Sequence, residues 1–134
     1  MSQESIDVAL AFIAAYNAGD LDAAVDVCDG EVNGFPDASL FPESRPLVGR
    51  DELRGFLAET RSSWANTRYV TKEVFDIGDG CVLIRGEWGG TGSASGVETY
   101  QDLSSIFTTR DGQISRAEWF FDHDKALRAA GLAE

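Results

Sequence analysis

In this chain the helical patterns come first and the strand patterns last, and that order limits the folds open to it. Apolar residues recur at helical spacing over residues 4–28, and a loop punctuated by Pro36, Pro42 and Pro46 follows. A third helical pattern opens at Gly49-Arg50-Asp51-Glu52, and strand-like alternation then runs nearly unbroken from 67 to 122 before a short closing helix. Helices followed by a long antiparallel meander specify an α+β architecture. A strongly bent, mostly antiparallel sheet is expected to wrap around three N-terminal helices, leaving room for a pocket between its concave face and the helical layer.

Local signals set the element boundaries. Ile6, Ala9, Leu10, Ile13, Ala14 and Tyr16 form the stripe of the first helix, with Phe12 on its flank, and Asn17-Ala18-Gly19 ends it. Asp20 is placed to cap a second helix over Leu21 to Cys28. Residues 31–35 suit a short strand. Leu53, Phe56, Leu57, Thr60 and Trp64 line the third helix. Strands are expected at 67–77, 81–89, 97–109 and 113–121, with tight turns at Gly78-Asp79-Gly80 and Arg110-Asp111-Gly112 and a longer tip at 89–96.

Composition excludes several function classes. A chain of 134 residues suits a single domain, 1–134, able to bury roughly two-thirds of its unfolded surface. The net charge of −12 repels phosphate backbones and anionic lipid, so neither nucleic acid nor a membrane surface is expected as a partner. The first ten residues, MSQESIDVAL, have neither the basic start nor the apolar run of a secretory signal, and no stretch is long and apolar enough to span a bilayer. Cys28 and Cys81 lie on separate elements and read as reduced thiols, which fits a cytoplasmic protein. One histidine, His123, cannot build a His-rich metal site. It reads as a helix-start residue, or alternatively as a proton carrier at a pocket rim. The glycines of GGTGSASG precede no helix and no lysine, so they do not form a phosphate cradle.

With its elements in this order, the chain resembles the nuclear-transport-factor-2-like superfamily, and most closely its SnoaL-like branch. The matching pieces are AYNAGDLDAAVDVC (15–28), LVGRDELRGFL (47–57), GVETYQDLSSIFTTRDGQI (96–114) and EWFFDHDKALRAAGL (118–132). The resemblance implies a cone-shaped fold with a deep apolar pocket and a homodimer formed through the outer face of the sheet. It does not choose a chemistry, because function lives in the site grafted onto the fold.

The catalytic sets of the superfamily can be tested residue by residue. Where ketosteroid isomerases carry an oxyanion-hole tyrosine, counting back from Gly19-Asp20 gives Phe12; where they carry a protonated carboxyl, counting back from Gly112 gives Ser104. Asp37 is an approximate counterpart of the general base. Phe12 has no proton to donate to an enolate, so the electrophilic half of that mechanism is missing. Arg85-Gly86-Glu87 resembles the Arg-x-Asp arrangement of limonene-type epoxide hydrolases, but the third carboxylate falls at Trp119, with Glu118 one residue out of phase.

Strand parity then assigns the two faces. On the last strand Ser115, Ala117, Trp119 and Phe121 should look toward the helices; on the strand before it, Tyr100, Asp102, Ser104 and Ile106; and on the 81–89 strand, Ile84, Gly86 and Trp88. Arg85, Glu87, Arg116 and Glu118 would pair on the outer face. The resulting cavity is walled by Phe12, Phe56, Trp64, Trp88, Tyr100, Ser104, Trp119 and Phe121, a lining suited to a small apolar or aromatic molecule. Asp102, desolvated among these rings, would be a proton carrier, with Tyr16 and Tyr100 polarising a substrate. Alternatively Asp102 faces water, or pairs with Arg68 or Lys72. Three readings follow: a cofactor-free acid/base isomerase, cyclase or hydratase; a non-catalytic ligand-binding or accessory protein; and a water-activating hydrolase using Arg85 and Glu87.

Overall fold

A computed structural model describes residues 2–37, 45–92 and 95–132. Helix α1 (Ser2–Ala18) turns Ser5, Ala9, Phe12, Ile13 and Tyr16 inward. It ends in paired bonds from Gly19 N–H to Tyr16 C=O and from Asp20 N–H to Ala15 C=O, each 3.0 Å, which satisfy two of its last carbonyls. The Asp20 carboxylate caps helix α2 (Leu21–Asp26) by accepting the Ala23 N–H. The expected extension of α2 to Cys28 is corrected: the chain is already extended there, as strand β1 (Cys28–Phe35). Strand β2 is only Leu47–Val48 and leads directly into α3 (Gly49–Ser62).

The remaining strands are β3 (Ala65–Gly78), β4 (Cys81–Thr91), β5 (Glu98–Arg110) and β6 (Gln113–Phe120), and α4 (His123–Ala129) follows them. They form one six-stranded open sheet in the order β2-β1-β6-β5-β4-β3, in which only β1 and β6 run parallel among the described pairings. Two tight hairpins are made by Asp79-Gly80 and Asp111-Gly112, all four residues at positive φ, which matches the twist of the flanking strands. Of the 89–96 tip, residues 93–94 lie outside the described residues, as does Pro42 of the proline-punctuated loop.

The main core lies between the helices and one face of the sheet. It joins Ala9, Phe12, Ile13, Tyr16, Leu53 and Leu57 to Tyr69, Ile84, Trp88, Leu103, Phe107 and Ala117. On the opposite face, α4 covers a smaller cluster of Leu83, Ile106 and Ala126, edged by Phe75, Ile77, Phe120 and Leu127. The α+β architecture expected from the order of patterns is the one observed.

The parity expected for β5 is corrected. Arg110 pairs with Gln113 and Thr109 with Ile114, but Thr108 pairs with Arg116, so Ser115 is an extra residue bulged out of β6. Its hydroxyl donates to the Thr108 carbonyl at 3.2 Å. One inserted residue reverses every side chain beyond it relative to the neighbouring strand. Trp119 therefore lies opposite Ser105 rather than Ser104, and the odd-numbered residues of β5 face the helices. Parity on β4 and on the rest of β6 is as expected, with Ile84, Trp88, Ala117, Trp119 and Phe121 on the helical side.

Candidate functional site

Between α1, α3 and the inner face of β4, β5 and β6 lies a cavity whose free space is about 590 Å³, counting the part open to solvent at its mouth. Its walls are aromatic for a simple reason. Helical spacing brings Phe12 and Tyr16 one turn apart on α1, and period-2 spacing brings Trp88, Trp119 and Phe121 to the facing sheet. Rings pack at angles: Phe12 against Phe107 at 5.4 Å, Phe56 against Trp119 at 5.7 Å, and Trp88 against Phe121 at 6.3 Å between centroids. These rings border the free space on both sides.

Of the residues singled out from the sequence, Phe12, Tyr16, Phe56, Trp88, Trp119 and Phe121 line this cavity. The others do not. Trp64 lies behind the wall, edge-on to Trp88 at 6.1 Å, with its indole N–H buried and unpartnered. Tyr100 is 37 % exposed, and Asp102 is exposed on the outer face opposite Glu87. Ser104 is buried, but under α4, where its hydroxyl meets His123 Nδ1 at 2.8 Å. These three placements, Tyr100, Asp102 and Ser104, share one cause, the Ser115 bulge. His123 stands at the start of α4, its rim role corrected by that same position behind the sheet.

Parity also hid residues of β5 that do line the cavity, Leu103, Ser105 and Phe107; Tyr69 on β3, a strand given no facing from the sequence, lines it as well. Tyr69 reaches across because Gly86 lies beneath it; a Cβ at Gly86 would stand 2.6 Å from the Tyr69 hydroxyl. That hydroxyl donates to the Leu103 carbonyl at 2.6 Å, with the Ile84 carbonyl at 3.3 Å. A signal for Tyr69 was present in the sequence, since Gly86 interrupts the bulky run of β4 and marks a close approach, though it does not say which side chain fills the gap.

The polar side-chain atoms of the lining are hydroxyls and the indole N–H groups of Trp88 and Trp119, with no charged side chain among the lining residues. Trp88 Nε1 donates to the Tyr16 hydroxyl at 3.0 Å, which lies 2.9 Å from Thr60 Oγ1, and Thr60 donates to the Leu57 carbonyl at 2.8 Å. Burial pushes the Tyr16 phenol above its ordinary value, against smaller opposing effects of Thr60, Trp88 and Arg61. The Tyr69 phenol is likewise pushed up by burial. Both therefore stay neutral near pH 7. At the edge of the cavity, beside Pro36, the Asp37 carboxylate accepts the Phe121 N–H at 2.7 Å.

The charged set on the outer face is accounted for by pairing. Arg85 bonds Glu73 at 3.0 Å, Glu87 lies 3.7 Å from Lys72, and Arg116 lies 3.3 Å from Glu118. Arg85 and Glu87 thus project away from the cavity, each engaged with a β3 partner.

A bent open sheet packed on N-terminal helices, with an aromatic cavity between them, defines a nuclear-transport-factor-2-like α+β protein. The SnoaL-like domain model matches residues 9–117, and the chain belongs to that family. Comparison with curated proteins finds no match. Among solved structures, the chain is similar to TerC co-crystallised with polyporic acid (21 % identity, 96 % of this chain and 98 % of that one, TM-score 0.76). It is also similar to a protein of ketosteroid-isomerase-like fold from Catenulispora acidiphila DSM 44928, in complex with trimethylamine (18 % identity, 93 % and 92 % covered, TM-score 0.74). A third is a candidate SnoaL-like polyketide cyclase from Jannaschia sp. CCS1 (17 % identity, 99 % and 94 % covered, TM-score 0.76). At these identities the likeness is one of fold.

Proposed function

We propose that this chain binds a flat, largely apolar small molecule in the cavity between α1, α3 and the sheet. The observation carrying this reading is the lining itself: aromatic rings and neutral hydroxyls around an open space, with no charged side chain among the lining residues. Such a site gains its affinity from apolar area and ring packing, and its orientation from a few hydroxyls. Membership of the SnoaL-like family and the ligand-bound TerC relative support it.

A binding or accessory role fits these residues better than acid/base chemistry. The acid/base reading depended on Asp102, which is exposed on the other face. Burial raises the pKa of both lining tyrosines, so neither serves as a base near pH 7. The hydrolase reading depended on Arg85 and Glu87, which are tied to Glu73 and Lys72 outside the cavity. The homodimer and the cytoplasmic location implied earlier remain proposals, the first open to light scattering on the purified protein.

Steroid-like, terpenoid and polyketide-like compounds, titrated while tryptophan fluorescence and melting temperature are followed, test the reading. Saturable quenching with a rise in Tm is expected from at least one class, weakened about tenfold or more by Trp119→Ala, the order expected for losing a large aromatic wall contact. No saturable response from any class, or binding indifferent to both Trp119→Ala and Phe121→Ala, overturns it.

A further inference from the structure

Most polar side-chain atoms of the cavity already have partners in the protein. Trp88 Nε1 donates to the Tyr16 hydroxyl at 3.0 Å, Thr60 to Leu57 C=O at 2.8 Å, and Tyr69 to Leu103 C=O at 2.6 Å. Ser105 and Trp119 differ. No hydrogen bond engages the Trp119 indole N–H, and none commits the Ser105 proton, whose polar neighbour is the Tyr69 hydroxyl. Neither atom is walled off, since among the described residues the enclosed polar side-chain atom without a partner is Trp64 Nε1. Ser105 is nevertheless only 2 % exposed, so its hydroxyl looks into the cavity it lines rather than into bulk water. An unpaired hydroxyl in so apolar a wall costs stability until something meets it.

The Ser115 bulge makes these two residues neighbours. It sets Ser105 directly opposite Trp119 on adjacent antiparallel strands, where side chains on one face start about 5 Å apart. Trp119 lays Cζ3 over β1, 3.3 Å from where a Cβ on Gly34 would stand, which turns its N–H edge away from that glycine. An indole N–H can only donate, and a hydroxyl proton rotates to suit its partner. We propose that Ser105 and Trp119 together form the polar end of the cavity, donating two hydrogen bonds to one carbonyl oxygen of a flat neutral ligand. A carbonyl oxygen has two lone pairs and takes both. A carboxylate is selected against, because no cation lines the cavity and the chain carries a net charge of −12. Arg61, over the Tyr16 ring at 5.3 Å, is engaged by the carbonyls of Tyr16 and Thr67. An ammonium group would meet donors where it needs acceptors.

This inference rests on the cavity being a ligand site, and three probes separate the two claims. 2-Acetylnaphthalene, 2-isopropenylnaphthalene and 2-naphthoate share one ring system; the second replaces the ketone C=O by an isosteric C=CH2, and the third adds a charge. Titration calorimetry on the whole chain should show the ketone binding on the order of tenfold tighter than the alkene, as two neutral hydrogen bonds of modest net worth would give. The naphthoate should bind more weakly than the ketone. Ser105→Ala and Trp119→Phe each remove one donor and keep the wall, and each should lower the ketone-to-alkene ratio about threefold. The infrared carbonyl band of the bound ketone should move back to higher wavenumber in both variants. Ser105→Ala should leave the Tm of the free chain unchanged, and if that variant does not fold, Trp119→Phe carries the test. A ratio and a carbonyl band unmoved by the substitutions overturn the inference, as does naphthoate binding more tightly than the ketone. If no probe binds, the ligand-site reading falls with it; if ketone and alkene bind alike, only the carbonyl preference falls.

Discussion

The two faces of the β5–β6 hairpin use neighbouring residues for opposite ends. Toward the helices, Leu103, Ser105 and Phe107 border open space, while toward α4, Ser104 and Ile106 sit in a small cluster among Leu83, Ala126 and Phe120. The second cluster packs aliphatic and aromatic side chains under α4, whereas the side chains facing the helices border free space. The contrast teaches that, among the described residues, one side of β5 borders a cavity while the other packs against α4.

Four measurements can break or sharpen that contrast. The largest effect should come from Phe107→Ala: removing a ring that is 1 % exposed should cost about 3–5 kcal/mol in urea unfolding. A cost under about 1 kcal/mol would mean that the cavity wall is not part of the cooperative core. Next, enlarging residues should distinguish the faces. Leu83→Phe, in the closed cluster, should cost about 1–3 kcal/mol, whereas Leu103→Phe can grow into free space and should cost less while weakening ligand binding. Equal costs would erase the difference between the two sides.

The third test uses pH. Burial pushes the Cys28 thiol from 9.0 up to about 12, and the Tyr16 and Tyr69 phenols upward too; all three belong to the helix-facing core. Their folded-state pKa values are raised, so the native chain holds protons that the unfolded chain releases. Stability is then full below about pH 9 and falls as the pH rises toward 12. Denaturant melts between pH 8 and 11 should show this decline, and Tyr69→Phe should flatten its upper part. A flat profile in the native chain would contradict it. The smallest effect belongs to Asp102→Asn. It relieves a like-charge pairing with Glu87 and should change stability by less than about 0.5 kcal/mol, leaving ligand binding intact. A loss of binding would return Asp102 to the site.

Much of the fold was legible because its signals are local. The Gly19 stop, the Asp20 cap and the two Asp-Gly hairpins need only a few neighbouring residues, and each appears where the sequence places it. The aromatic members of the cavity on α1, α3, β4 and β6 were legible for the same reason, since helical and strand periods carry them to a common side. The boundary between α2 and β1 was not, because the stretch after Asp26 satisfies either period and its pairing with β6 decides the outcome.

What the sequence determined by itself was the architecture, the family and six of the rings around the cavity. Only the tertiary structure decided which side of β5 faces them. An inserted residue at Ser115 leaves no mark in hydropathy, because Ser104 and Ser105 are alike and Ile106 and Phe107 are equally apolar. Both faces of β5 are buried over residues 103–107, so apolar residues alone cannot report direction. The hydroxyl chain through Trp88, Tyr16 and Thr60 likewise joins residues far apart in sequence, and its direction follows from partners that only the folded chain brings within reach.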